Sequence, residues 1–148
     1  MKKLLLIVLL LSCFSGKAQI YDPVQWTTAV KQVSETEYDL IATASIEDNW
    51  HLYSQNVPEN GPLPTTFSFV GNNNYLKKGN TGEESGHTVE DPIFNMEIKY
   101  FETKATFVQR IRVKGEKGFS IDAVVEFMVC DDSKCLPPKE VDLIFEVK

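Results

Sequence analysis

The sequence has few of the residues from which metal centres and hydrolytic sites are usually built. It contains only two histidines, His51 and His87, and three cysteines in 148 residues. Neither histidine lies at zinc-ligand spacing from a cysteine, and two thiolates alone make an incomplete zinc site. No arrangement of serine, aspartate and histidine typical of a hydrolase is recognisable. The composition therefore argues against a zinc site and against hydrolytic chemistry.

Long apolar runs are also scarce. The longest begins at Leu4 and ends at Leu11, far short of the ~20 residues that a membrane-spanning helix needs. Lys2 and Lys3 precede this run and a stretch rich in small residues follows it, a pattern typical of a secretory signal peptide. We expect residues 1–19 to be the signal peptide and residues 20–148 to form a single domain, periplasmic or secreted.

One alternative concerns the N-terminus. The segment Leu10-Leu-Ser-Cys13 resembles a lipobox, in which case Cys13 would become a lipidated N-terminus and hold the protein to a membrane. In both cases Cys13 is unavailable as a partner for the other two cysteines.

Positive charge is in short supply after processing. Removing Lys2, Lys3 and Lys17, with no acidic residue, changes the formal net charge from −6 to −9. An acidic domain is repelled by phosphate groups. Nucleic acid and anionic membrane surfaces are therefore not expected as partners.

No segment of useful length shows the 3.6-residue apolar period of an amphipathic helix. Apolar and polar residues alternate instead, as in half-buried strands. The alternating segments run from Tyr38 to Ile46, Phe67 to Phe69, Ala105 to Val113, Phe119 to Val129 and Val141 to Val147. Short strands separated by turn signals predict an all-β protein built as a β-sandwich. The stretch 71–92, rich in Asn and Gly, is predicted to be a long surface loop.

Cys130 and Cys135 bracket four residues in the segment Phe127-Met-Val-Cys-Asp-Asp-Ser-Lys-Cys-Leu-Pro-Pro138. Closing so short a loop stabilises a fold by roughly 2 kcal/mol, against ~4.7 kcal/mol for a loop of 100 residues. The pair would be a weak staple, and a labile bridge on a loop suits thiol exchange. An ordinary structural hairpin disulfide remains the alternative.

Strand parity and local charge distinguish the two thiols. Cys130 falls on the opposite face from Phe127 and Val129, so it should point away from the main core, as a reactive thiol would. Lys134 adjoins Cys135 and favours its thiolate, whereas acidic neighbours disfavour the thiolate at Cys130. Cys135 is therefore predicted to be the better nucleophile.

The segment from Cys130 to Pro138, with the strands on either side, resembles the N-terminal periplasmic domain of the thiol:disulfide interchange protein DsbD. Asp48-Asn-Trp-His-Leu-Tyr53 is similar to that family's early aromatic strand motif. Asp91-Pro-Ile-Phe94 and Ile98-Lys-Tyr100 are similar to its cap-loop region. The resemblance covers essentially all of the mature chain, although the best-known members have five residues between the cysteines and this chain has four.

The resemblance implies an immunoglobulin-like sandwich that relays reducing equivalents from a membrane-embedded thiol reductase to thioredoxin-like periplasmic proteins. It implies that Cys135 forms the mixed disulfide with a partner and that Cys130 resolves it, with no cofactor beyond this pair. It also implies a cap loop centred on Ile93 and Phe94 that shields the pair, with Asp91 near the thiols. If active, the pair would make the protein an electron carrier of the protein-disulfide reductase type.

A second hypothesis belongs to another class of function. The chain could be a secreted sandwich that binds a protein or polymer through Trp50, Tyr53 and the loop 71–92, with a merely structural disulfide. Burial statistics nevertheless favour core positions for both aromatic residues.

Overall fold

The computed structural model describes residues 21–148, which form eleven strands and no helix. The signal peptide and the lipidation of Cys13 were predicted for residues that lie outside this range. The strands are β1 (Val24–Gln32), β2 (Glu37–Ile46), β3 (His51–Tyr53), β4 (Thr66–Phe69), β5 (Tyr75–Glu83), β6 (His87–Asp91), β7 (Met96–Phe101), β8 (Lys104–Val113), β9 (Phe119–Phe127), β10 (Val129–Cys130) and β11 (Lys139–Val147). Within the described range, no helix is long and apolar enough to cross a membrane.

The strands form three antiparallel sheets. The first has the order β1-β2-β8-β5, the second β10-β3-β7-β6 and the third β11-β9-β4. The main core lies between the first and third sheets, where buried side chains of β2 and β8 meet those of β9 and β11. The prediction of an all-β sandwich is confirmed.

The predicted alternation matches the burial of the central strands. In β8 every second side chain from Ala105 to Val113 is buried, and in β9 every second one from Ile121 to Phe127. Successive side chains of a strand point to opposite faces of the sheet, so one apolar face covers the core and the other is left to polar residues.

The stretch 71–92 is not a loop, and that prediction was wrong. Most of it forms β5, which pairs with β8, and β6, which pairs with β7. Both strands lie at the edge of their sheets and are mostly exposed, so their sequences lack apolar alternation. The pairing of β5 also shifts register between Lys78 and Gly82, next to Gly79 with its positive φ of 69°. Irregular, polar edges of this kind hinder pairing with other chains.

The second sheet positions the cysteines. After Phe127 the chain leaves β9, passes Met128 and enters β10, which pairs with β3. One face of this sheet contributes Leu52, Phe101 and Val129 to the main core. The other face carries a separate buried group, which we call the second cluster: Tyr53, Ile98 and Cys130, bordered by partly buried side chains that include Phe94, Tyr100 and Cys135.

Candidate functional site

A tight turn brings the two cysteines together. Cys130 and Cys135 form a disulfide with a Cα–Cα distance of 4.0 Å and also an isolated antiparallel bridge. The backbone N–H of Asp131 donates to the carbonyl of Lys134 at 2.9 Å. The Asp131 carboxylate accepts three hydrogen bonds at 2.8 Å, from the N–H and hydroxyl of Ser133 and the N–H of Lys134. These bonds lower the pKa of Asp131. Together with the backbone hydrogen bond they close a turn with only four residues between the cysteines.

The two sulfurs differ in accessibility. Cys130 points away from the main core, as strand parity indicates, but it is fully buried in the second cluster. Pointing away from the main core therefore does not leave Cys130 exposed, because the parity argument did not include a second packed face. Cys135 is only half-buried. A partner can therefore approach Cys135 more easily than Cys130.

Asp91 holds a turn that lies over the second cluster. It ends β6 and is only 1% exposed. Its Oδ1 accepts hydrogen bonds from the backbone N–H groups of Ile93 and Phe94, at 2.9 and 3.1 Å. Its Oδ2 accepts one from the Tyr53 hydroxyl at 2.8 Å. One buried carboxylate thus connects the turn between β6 and β7 to Tyr53 in the second cluster.

Phe94 covers this side of the cluster. Its ring meets that of Tyr53 edge to face, with 6.0 Å between centroids, and it packs on the group that contains Cys130. Ile93 is 38% exposed and does not belong to this packing. Of the two residues expected at the centre of a cap loop, Phe94 lies over the cluster and Ile93 faces solvent.

Burial and nearby carboxylates keep the tyrosines of the site protonated. Burial raises the pKa of Tyr53 far above its usual value, and the hydrogen bond to Asp91 raises it further. Burial also raises the pKa of Tyr100, assisted by the charges of Glu102, Asp132 and Asp91. The Tyr53 hydroxyl therefore remains a donor to Asp91 throughout the physiological pH range.

His51 lies beside Cys130 in the second sheet. It pairs with Cys130 across β3 and β10, is buried, and stacks on Tyr100 with 4.5 Å between ring centroids. Its Nε2 lies 3.8 Å from Asp132 Oδ1. Lys134, expected to favour the Cys135 thiolate, places its Nζ 5.9 Å from the centre of the Trp50 ring. Within residues 21–148, no group of three or more His, Cys, Asp or Glu residues could hold a metal ion.

The comparison with known families decides the relationship. The family model for the N-terminal part of the thiol:disulfide interchange protein DsbD matches residues 19–145. The chain belongs to the DsbD N-terminal domain family. This confirms the resemblance drawn from the cysteine and double-proline segment, and the Cys130–Cys135 disulfide agrees with the family's role in thiol–disulfide exchange. No curated protein matches the sequence significantly.

Solved structures of DsbD-type domains share the fold. The reduced DsbD N-terminal domain of Neisseria meningitidis is 14% identical, with a TM-score of 0.55 over 89% of this chain and 94% of that one. The N-terminal periplasmic domain of ScsB from Proteus mirabilis is 11% identical, with a TM-score of 0.60 over 87% of this chain. This chain spans 48% of the ScsB structure. The immunoglobulin-like all-β fold of such domains is that of this chain.

In this DsbD-type domain the structure also decides whether Trp50 and Tyr53 are core residues or surface residues. Trp50 and Tyr53 are buried, at 5% and 0% exposure, as burial statistics indicated. Their burial removes the aromatic surface on which the binding-module hypothesis depends. Tyr53 is also one of the buried residues of the second cluster, which contains Cys130.

His51 was missed as a site residue. The sequence did indicate that His51 lies on the same side as Tyr53, because the two residues are two positions apart and so share the face opposite to Leu52. A strand of three residues is too short for this alternation to stand out in the sequence.

Proposed function

We propose that the protein is an extracytoplasmic thiol–disulfide carrier that exchanges electrons through the Cys130–Cys135 pair. The observation that carries this proposal is the placement of the disulfide. It lies in a small cluster of its own, outside the main core, with Cys135 half-buried and Cys130 fully buried in the group against which Phe94 packs. A bridge whose purpose was to staple the sandwich would connect strands of the main core.

In this proposal Cys135 is the nucleophile. Reduced Cys135 attacks a partner's disulfide as a thiolate and forms a mixed disulfide, and the partner's first thiolate leaves. Cys130 then attacks the Cys135 sulfur, which restores the internal disulfide and releases the partner's second thiolate. Two electrons pass to the partner, whose sulfurs take up two protons. The half-buried position of Cys135 and full burial of Cys130 support this order.

The turn formed by Asp91 and Phe94 serves as the cap in this proposal. It shields the pair until a partner displaces the Phe94 ring from the cluster. The family relationship suggests a membrane-embedded thiol reductase as electron donor and thioredoxin-like proteins as acceptors. One structural relative, the N-terminal domain of ScsB, is a periplasmic domain, which supports a periplasmic location here.

Trapping of mixed disulfides tests the proposal. The Cys130→Ser variant should accumulate a covalent complex with thioredoxin-like proteins, visible on non-reducing gels and lost on reduction. The Cys135→Ser variant should form none and should lose electron transfer, although Cys130 is still present as a free thiol. Full exchange activity in Cys135→Ser would contradict the assignment. Absence of any complex with Cys130→Ser would contradict the carrier function itself.

A further inference from the structure

The position of His51 relative to Cys130 suggests a role in proton transfer. The two residues are directly opposite each other in an antiparallel pair, so their side chains share one face with Cβ atoms about 4.5–5.5 Å apart. His51 is 5% exposed and its ring stacks on Tyr100. Tyr100 in turn packs against the second cluster, to which Cys130 belongs. The imidazole and the Cys130 sulfur therefore occupy the same enclosed region.

The two ring nitrogens of His51 have different surroundings. Nε2 faces the Asp132 carboxylate at 3.8 Å, and that carboxylate is 88% exposed. Nδ1 is buried and has no hydrogen-bond partner among the described residues. Buried polar atoms nearly always have one. In the disulfide the Cys130 sulfur has no proton to donate, whereas reduction creates an S–H group on this same face.

We infer that His51 accepts the proton of the Cys130 thiol during the second, intramolecular step of exchange, while Asp132 orients the imidazole. The inference rests on the proposed function. In this step the Cys130 S–H proton moves to His51, the Cys130 sulfur forms a bond to the Cys135 sulfur, and the bond from Cys135 to the partner breaks. The electron pair leaves with the partner's thiolate. The imidazolium then passes its proton to solvent or to that thiolate.

Burial explains why Cys130 needs such a base. A thiol enclosed among apolar side chains ionises with difficulty, and the acidic residues that follow it in the turn add to this. A neighbouring imidazole removes the proton as the sulfur reacts and offsets that cost. The ionisable groups that face His51, directly or across Tyr100, are Cys130, Asp132, Tyr100, His87, Asp91 and Glu102.

Single-turnover exchange separates the two chemical steps. The reduced protein is mixed with a nitrothiobenzoate disulfide, which releases one coloured thiolate when Cys135 attacks and a second when Cys130 resolves the adduct. His51→Gln should leave the first release unchanged and slow the second by on the order of 10²-fold, the lower end of what proton transfer by a side chain contributes. The ionisation that His51 adds to the pH profile of the second step should disappear. His51→Phe, which keeps an aromatic ring against Tyr100, should show the same slow second release and the same change of pH profile as His51→Gln.

His87→Gln is the matched control. His87 also lies beside Tyr100, with 6.4 Å between ring centroids, but on β6 rather than opposite Cys130. Its two rates and their pH profiles should equal those of the wild type. A second release in His51→Gln with wild-type rate and pH profile would overturn the inference while leaving the carrier function intact. Failure of the wild-type protein to release even the first thiolate would instead overturn the carrier function.

Discussion

Asp91 offers the sharpest test of the cap. Replacing it by alanine removes the acceptor of three hydrogen bonds, from the Tyr53 hydroxyl and from the N–H groups of Ile93 and Phe94. Water can replace the acceptor at the exposed turn. It cannot do so at Tyr53, which is 0% exposed. The Tyr53 hydroxyl is therefore left buried without a partner.

The expected loss of stability follows from these contacts. An unsatisfied buried hydroxyl costs about 1–3 kcal/mol, and hydrogen bonds to a charged group are worth about 1.5–3 kcal/mol each. Removing a buried charge returns part of this cost. We expect Asp91→Ala to lower the free energy of unfolding by about 2–4 kcal/mol. Asp91→Asn keeps an oxygen for the turn and should lose only about 1 kcal/mol.

The same substitution should expose the disulfide. If the turn must open before a thiol reaches the sulfurs, weakening it by about 2 kcal/mol raises the open population by roughly 30-fold. Reduction of the oxidised protein by a small thiol should accelerate by a similar factor in Asp91→Ala and by much less in Asp91→Asn. Denaturant unfolding and stopped-flow reduction measure the two effects separately. A reduction rate within about twofold of the wild type, in a variant destabilised as expected, would refute the gating by the cap.

Other contacts around the second sheet give further predictions. Hydrogen bonds from Ser54, Gln55 and Lys99 outweigh the effect of burial and lower the pKa of Glu83, so its contribution to stability is present above the unfolded pKa of about 4.3 and is lost as the pH falls. Glu83→Gln should therefore flatten the acid limb of stability measured by denaturant between about pH 5 and pH 3. A Cβ at Gly86 would lie 2.5 Å from the Tyr100 carbonyl oxygen, whereas one at Gly82 would lie 3.8 Å from its nearest neighbour. Thermal unfolding should show a loss of about 1–3 kcal/mol for Gly86→Ala and little change for Gly82→Ala, and equal losses would contradict this packing.

Much of the sandwich could be predicted because the strands that pack one face on the main core alternate strictly. Phe107 and Ile111 on β8, or Leu143 and Phe145 on β11, are buried as their spacing indicates. The edge strands β5 and β6 could not be predicted in this way. Each of these strands forms backbone hydrogen bonds with a neighbouring strand on one side only. Most of their side chains are exposed on both faces, as in β5. An apolar pattern is therefore absent where the strand itself is present.

The candidate site was predictable in its covalent part and less so in its surroundings. The spacing of Cys130 and Cys135 indicated a short bridge, and the structure contains it. The burial of Cys130 depends on Tyr53, Ile98 and Phe94, which come from distant parts of the chain. Contacts of that kind depend on how β3, β7 and β10 pair, and no local pattern specifies this pairing.

If Cys135 forms a mixed disulfide as proposed, the turn closed by Asp131 affects how long that complex survives. Its hydrogen bonds involve only residues 131–134 and none of them requires the sulfur–sulfur bond. While a partner is attached to Cys135, the turn therefore keeps the Cys130 sulfur beside it at a high effective concentration. In the proposed reaction, resolution should therefore be faster than replacement of one partner by another. Covalent complexes of the unaltered protein should be brief, and each encounter should end with the transfer of both electrons.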